Sequence, residues 1–293
     1  MAPASAPQAT PTVEPASTPT VVGGGRPVTV QLPSPSSDPA PLILLLHGYG
    51  GTGAEVEAYL RLGPAAAERG IILAAPDGTV NSEGLQYWNA TDACCDLDYA
   101  GIDDAGYLAG LIEEIMTVAN VDPKRIYLVG HSNGGFMSYR MACDHAEVVA
   151  AIVSLAGATF VDPADCLPSE PVAVLQIHGT ADDVIAFDGG QLTDAPETDK
   201  AARRYPGARD TAIIWATYDG CAPGLVESGD TVDVDALIDG PSGRAEATIE
   251  RASGCEPGGH AELWSIPDGS HVPSLSGAFG ETVIDFLLDH PKS

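Results

Sequence analysis

The sequence predicts an α/β fold with a mainly parallel central sheet and helices on both faces. Two observations carry that reading. Apolar runs of strand length alternate with stretches of helical periodicity along most of the chain, and the runs are continuous, as strands covered on both faces must be. At 293 residues, 44% of them hydrophobic, the chain can bury a large core. Residues 1–25 are rich in Pro, Ala, Thr and Ser, with too few large apolar side chains to fold. They read as a disordered linker, leaving one domain over residues 26–293.

Taken in order, residues 28–32 read as a short first strand, and Pro41 to His47 as a strand buried on both faces. That strand runs into Gly48-Tyr49-Gly50-Gly51-Thr52-Gly53, a loop whose backbone N–H groups can approach an anion closely. It has neither the Lys-Ser/Thr ending of a P-loop nor the spacing of a dinucleotide-binding loop, so an oxyanion role fits it best. Residues 55–68 are weakly helical with an interruption at Gly63-Pro64, and residues 71–76 form the next buried strand. Residues 77–101 read as a long polar loop carrying Trp88, Asn89 and the Cys94-Cys95 pair. Asp103 fits the N-cap of a helix over 104–118, with apolar Tyr107, Leu108, Leu111, Ile112 and Ile115 at helical spacing. Asp96, Asp98, Asp103 and Asp104 read as cap and solvated loop rather than as a cation site.

Next comes the run Arg125 to Val129, then Gly130-His131-Ser132-Asn133-Gly134, then an amphipathic stretch over 135–142. Strand, G-x-S-x-G and helix in succession form a nucleophile elbow, which lifts a serine hydroxyl above the sheet edge at a helix N-terminus. Residues 148–155 and 171–178 read as further strands. In parallel sheets chemistry collects at the carboxyl ends of strands. One such end carries His178-Gly179-Thr180-Ala181-Asp182-Asp183. Another, after the strand over 261–266, carries Pro267-Asp268-Gly269-Ser270-His271-Val272.

The order Ser, Asp, His is that of α/β-hydrolases and differs from the orders in the chymotrypsin and subtilisin folds. Ser132 is the candidate nucleophile, His271 the base that takes its proton and returns it to the leaving group, and Asp182 the carboxylate that orients the ring. Spacing alone leaves Asp183 as a rival for that last role. The amides of Tyr49 and Asn133 are the candidate oxyanion donors. Trp88, Asn89, Phe187 and Val272, with Tyr49, are the expected pocket wall because each lies near a strand end in sequence. His47 and His178 read as packed structural residues, and His145, His260 and His290 as surface residues. No metal-binding spacing is present, so neither metal nor cofactor is expected.

The formal net charge is −28, from 41 Asp and Glu against 13 Lys and Arg. Such a field repels nucleic acid, acidic polysaccharide and anionic membranes. No run of about 18 apolar residues could span a bilayer. The expected partner is a small or polymeric neutral ester, such as acylated xylan or an aliphatic polyester, and the expected state a monomer. Six cysteines, Cys94, Cys95, Cys143, Cys166, Cys221 and Cys255, suggest disulfides and an oxidising, extracellular compartment. There is no signal-peptide apolar core, so export implies a leader already removed or replaced by Met1.

Gly130 to Gly135, His178-Gly179-Thr180-Ala181-Asp182, Trp88-Asn89 followed by Cys94-Cys95, and Gly269-Ser270-His271 together resemble the secreted poly(3-hydroxybutyrate) depolymerase-like esterases. These are related to feruloyl and acetylxylan esterases of the α/β-hydrolase superfamily. The resemblance spans residues 28–290, implies a secreted, cofactor-free serine ester hydrolase and assigns the acid to Asp182 rather than Asp183. It also implies that Trp215 to Cys221 and Cys255 belong to a paired helix and strand joined by a disulfide, leaving the other four cysteines for two bridges of undetermined pairing. The sequence departs from the family at His271-Val272-Pro273-Ser274, where relatives often carry tryptophan and proline, and at Asp183-Val184-Ile185-Ala186-Phe187, where many have Val-Pro-Tyr. The acyl group therefore does not follow from the resemblance. Two other readings share the features: a prolyl-oligopeptidase-like peptidase, disfavoured by the lack of a gating domain, and a catalytically inactive binding protein.

Overall fold

The computed structural model describes residues 19–34, 37–192, 203–240, 243 and 245–293. The run after Pro41 shows how the core is divided. Leu42, Leu44 and Leu46 point into one cluster, while Ile43 and Leu45 point into another on the opposite face, all fully buried. The alternation follows from the two-residue period of a strand, and it commits the sheet to a helix layer on each side.

Ten strands form that sheet: β1 (Thr20–Val22), β2 (Val28–Gln31), β3 (Ala40–Leu46), β4 (Ile72–Ala74), β7 (Val121–His131), β8 (Ala151–Leu155), β9 (Ala173–Gly179), β12 (Val226–Val232), β13 (Ala247–Arg251) and β14 (Ala261–Ile266). Two small hairpins account for β5 (Thr79–Val80) with β6 (Gln86–Tyr87), and β10 (Gly189–Gln191) with β11 (Arg204–Pro206). The order across the sheet is β1-β2-β4-β3-β7-β8-β9-β14-β13-β12. Its centre, from β4 to β14, is parallel, and an antiparallel pair is added at each edge. Strand order reverses between β3 and β7, which opens a crevice above their carboxyl ends.

Helices α1 (Gly53–Leu60), α2 (Gly63–Glu68) and α6 (Phe279–Asp289) cover the face that holds Ile43 and Leu45. Helices α3 (Asp104–Val118), α4 (Asn133–Asp144) and α5 (Ala208–Tyr218) lie on the other side, where α3 and α4 pack on the leucine face and α5 adds Trp215. Asp103 caps α3 as expected, its side chain accepting from the Gly106 amide at 2.8 Å. Asp96 and Asp104, however, are buried rather than solvated. Asp104 pairs with Arg26 at 2.8 Å, and Asp96 accepts from the amides of Ala100 and Gly101.

Four further expectations change. Thr20–Val22 of the supposed linker pairs with β2 as a sheet edge, whereas residues 1–18 lie outside the described residues. The segment over 55–68 is two helices, broken where Arg61 adopts φ 53°. The long loop is folded back by the β5–β6 hairpin. His260 and His290 are half-buried, their rings 4.4 Å apart and packed at a tilt against Phe286.

The cysteines pair as Cys94–Cys95, Cys143–Cys166 and Cys221–Cys255. The last is the bridge the family resemblance implies. It joins the loop after α5 to the loop before β14, so both cysteines sit in loops that flank the helix and strand rather than within them. Beside it, the buried Asp219 carboxylate accepts from the amides of Val172 at 3.0 Å and His260 at 3.1 Å, tying the starts of β9 and β14 together. Among the described residues no helix is long and apolar enough to cross a membrane.

Burial raises the Asp219 carboxyl to about 7 despite those two amides. The folded state therefore holds a proton that the unfolded chain releases at lower pH. Stability from this group is complete below the ordinary carboxylate range and is lost as pH rises towards about 7, at up to about 1.4 kcal/mol per pH unit. Denaturant unfolding across that range is expected to show the decline in the native protein and a flatter curve in Asp219→Asn; parallel curves would contradict it.

Candidate active site

The elbow is built by close approach of backbone. A Cβ on Gly130 would overlap the Gly134 carbonyl, and one on Gly134 would overlap the Leu46 carbonyl, so α4 can start directly on top of β3 and β7 only with glycine at both positions. Between them Ser132 sits at φ 53° and ψ −120°, a strained conformation for a residue with a side chain. Its amide donates to the Leu155 carbonyl of β8 at 2.8 Å, and its carbonyl accepts from Phe136 at 3.0 Å. The turn is thus held on both sides, and the hydroxyl is left free to face the crevice.

The structure brings Ser132, His271 and Asp182 together. The Ser132 hydroxyl donates to His271 Nε2 at 2.9 Å, and His271 Nδ1 donates to Asp182 Oδ2 at 2.8 Å. Asp182 comes from the turn after β9 and His271 from the loop after β14. The two segments are locked to each other by Thr180 N–H on the Ile266 carbonyl and Ala181 N–H on that of Gly269. Asp182 has no exposed side-chain surface, and its Oδ1 accepts from the amides of Val184 and Ile185 at 2.9 and 2.8 Å. Burial alone would push this carboxyl up. The His178 ring nitrogen 3.3 Å away and hydrogen bonds from His271 and the Val184 amide outweigh it and hold the group well below the usual carboxylate range. Asp183, the rival, is exposed.

His131 extends this set. Its Nε2 donates to the His271 carbonyl at 2.9 Å, and its ring lies between those of Tyr59 and His271, with centroids 5.2 and 5.1 Å away. Burial lowers it to about 4, so it is a neutral donor near pH 7. Tyr59 donates to the Pro273 carbonyl at 3.0 Å and Arg61 to that of Leu275, so α1 braces the segment that follows His271.

Above the serine lies a cleft of about 570 Å3 lined by Tyr49, Thr52, Glu55, Tyr59, Val184 and Val272, with His47, His131, Ser132 and His271 at its base. Tyr49 and Val272 of the expected wall are there, but three others are not. Trp88 is fully buried below the cleft, its indole donating to the His47 carbonyl at 3.2 Å. Asn89 is tied to the Ile102 carbonyl and to Asp104. Phe187 packs edge-on against His178, centroids 5.8 Å apart. Nearness to a strand end in sequence did not decide which way these side chains turn. Thr52, Glu55 and Tyr59 were missed, although their three- and four-residue spacing marks one face of a helix.

The Tyr49 and Asn133 amides lie in the Gly48 loop and at the first turn of α4. Gly48 sits against Ser132, with a Cβ there 3.4 Å from the serine Cβ. Among the described residues no acceptor takes either amide. The Asn133 side chain faces away from the cleft and bonds both backbone groups of Trp88, accepting from N–H at 2.7 Å and donating to the carbonyl at 2.9 Å. Among the described residues no group of three or more His, Cys, Asp or Glu side chains is placed to hold a metal ion.

A serine hydroxyl bonded to an imidazole that is itself bonded to a buried carboxylate defines the serine hydrolases. A family model for the α/β-hydrolase fold matches residues 41–218, and the chain belongs to that family. The NocK protein of Nocardia uniformis subsp. tsuyamanensis, named an esterase, is 35% identical over 288 residues, which are 92% of this chain and 81% of that one. Feruloyl esterase B of Piromyces equi is 34% identical over 201 residues, 67% of this chain but 36% of that longer protein. Among solved structures, acetyl xylan esterase from Aspergillus awamori superposes with a TM-score of 0.63 at 13% identity, covering 92% of this chain and 99% of that one, which shows a shared fold. The chain is an ester hydrolase of this family.

Because the Asn133 amide group satisfies two buried backbone groups at once, Asn133→Ala is expected to cost roughly 2–4 kcal/mol of stability. Denaturant titration checks this, and a loss under about 0.5 kcal/mol would contradict the role given to the side chain.

Proposed function

We propose that the hydrolysis runs through an acyl-enzyme on Ser132, with His271 as base and acid and Asp182 as its orienting carboxylate, on neutral acyl esters of plant cell-wall polysaccharide. The 2.9 Å contact between the serine hydroxyl and His271 Nε2 is the observation that carries the reading. Ser132 Oγ attacks the acyl carbon while its proton passes to His271 Nε2. The carbonyl oxygen takes up the negative charge, and the amides of Tyr49 and Asn133 are the donors proposed to meet it, each worth roughly 2.7–4 kcal/mol of barrier. Collapse breaks the ester bond, and His271 returns the proton to the leaving alcohol oxygen. Water then attacks the acyl-enzyme, giving up its proton to His271, and release of the acid restores the serine hydroxyl. The Asp182 carboxylate stays ionised throughout, consistent with the three hydrogen bonds it accepts and with His178 Nε2 lying 3.3 Å away.

Two features support a neutral substrate. Glu55 places a carboxylate in the cleft beside otherwise apolar or hydroxylated walls, and the whole chain carries −28. The named activities of the feruloyl and acetylxylan esterase relatives support an aromatic or acetyl acyl group on a polysaccharide. Three disulfides support action outside the reducing cytosol.

Ser132→Ala is expected to lower kcat on p-nitrophenyl acetate and methyl ferulate by at least about 10⁴ while the protein stays folded. Unchanged turnover would remove the mechanism. Acetylated xylan is expected to be deacetylated faster than an ester carrying a second, free carboxylate, with Glu55→Gln narrowing the difference. Preference for the charged ester would contradict the neutral-substrate reading.

A further inference from the structure

Asp182 has a second histidine beside the oxygen that His271 bonds. His178 Nε2 lies 3.3 Å from Asp182 Oδ2, the same oxygen that receives His271 Nδ1, and both side chains are buried. The tautomer of His178 can be read from its partners. The Gly157 carbonyl can only accept, so the atom of Gln176 that faces it at 2.8 Å is the amide nitrogen. The other N–H of that nitrogen points at His178 Nδ1, 3.0 Å away, which must then present its lone pair. At the far side of the ring, His178 Nε2 faces the Ile185 carbonyl at 2.7 Å, again a group that can only accept, so Nε2 carries the hydrogen. The Gln176 oxygen is occupied by the Tyr139 hydroxyl at 2.8 Å. Gln176, His178 and Tyr139 are all fully or almost fully buried, and Phe187 closes the edge of the His178 ring.

We infer that His178 is a positioning residue for the hydrolytic reaction: a neutral imidazole, fixed as the Nε2–H tautomer by Gln176 and Tyr139, whose one N–H is bonded to the Ile185 carbonyl and also lies 3.3 Å from Asp182 Oδ2, so that its positive end shares the charge on that oxygen and tempers the pull on His271. A cation at this place would neutralise the carboxylate, and an apolar side chain would leave Oδ2 with His271 as its one partner. A neutral donor does neither. The inference rests on the proposed roles of Ser132, His271 and Asp182. Among the described residues, the other ionisable groups facing these residues are His131 from the elbow, His47, Tyr49, Glu55 and Tyr59 around the cleft, and Tyr205 from β11, whose hydroxyl accepts from the Ala186 amide. His131 is kept neutral by burial until about pH 4, and all of these groups are the same in every variant below, so none of them accounts for a difference between variants.

The test uses the whole chain, p-nitrophenyl acetate and three proteins: native, His178→Phe and His178→Gln. Removing the donor concentrates charge on the one remaining partner of Oδ2 and favours the imidazolium of His271. His178→Phe is therefore expected to move the acid limb of the kcat/KM profile up by about one pH unit, cutting activity about tenfold on the limb and less than about threefold on the plateau. His178→Gln, which keeps an N–H within reach of Oδ2, is expected to restore the native limb. A folded His178→Phe protein whose limb is unmoved, or moves down, overturns the inference. Should His178→Phe fail to fold, nitrogen-15 spectra of histidine-labelled native protein decide it: protonated Nε2 with bare Nδ1 at His178 supports it, and the reverse tautomer or an imidazolium near neutral pH overturns it. Failure of the mechanism itself is separate, since it would show as full activity in Ser132→Ala.

Discussion

Everything at the site depends on a close passage of backbone at one turn. Helix α4 begins against the carbonyls of β3 with no side chain between them at Gly130 and Gly134, and this forces Ser132 to φ 53°. The strain is local and is held by the Leu155 bond on one side and the first helical bond on the other. What it achieves is direction. The hydroxyl leaves the sheet edge beside the crevice where strand order reverses.

The second constraint is electrostatic. A carboxylate with no exposed side-chain surface is costly unless its lone pairs are met, and Asp182 meets this demand with two backbone amides on one oxygen and His271 on the other, the His178 ring nitrogen lying 3.3 Å from that second oxygen. Those donors come from the turn that carries Asp182, from β9 and from the loop after β14. Their agreement is secured by the parallel pairing of β9 with β14 and by the Thr180 and Ala181 bonds across the two turns. Braces from α1, through Tyr59 and Arg61, hold the far side of the histidine loop. The sheet register is therefore part of the site: a one-residue slip of β14 would carry His271 away from Asp182.

Much of this is legible in the sequence because it is local. Gly130 to Gly134 between an apolar run and an amphipathic one announces the elbow, and Asp182 and His271 each follow an apolar run within a few residues. The edge strands are less visible. All of β12 except its last residue is exposed, so Val226–Val232 has no apolar run to read, and β1 is a strand only because β2 lies beside it. The cleft wall is not legible from nearness to strand ends. Trp88 turns inward because its indole N–H and both backbone groups find buried partners, and Phe187 turns to His178, while Tyr59 reaches the cleft from a helix twelve residues upstream of β4. Each of these outcomes depends on a neighbour distant in the chain. The pairing of Cys94 with Cys95 leaves Cys143 for Cys166, a division that spacing alone did not determine.

The central claim is that one hydroxyl, activated by one imidazole, is the reactive group of this protein. Treatment with a fluorophosphonate followed by peptide mass spectrometry reads it directly. The account predicts a single adduct on the peptide containing Ser132, formed at a rate that collapses in His271→Ala. An adduct on any other residue, or labelling of Ser132 that proceeds equally fast without the imidazole, would contradict it.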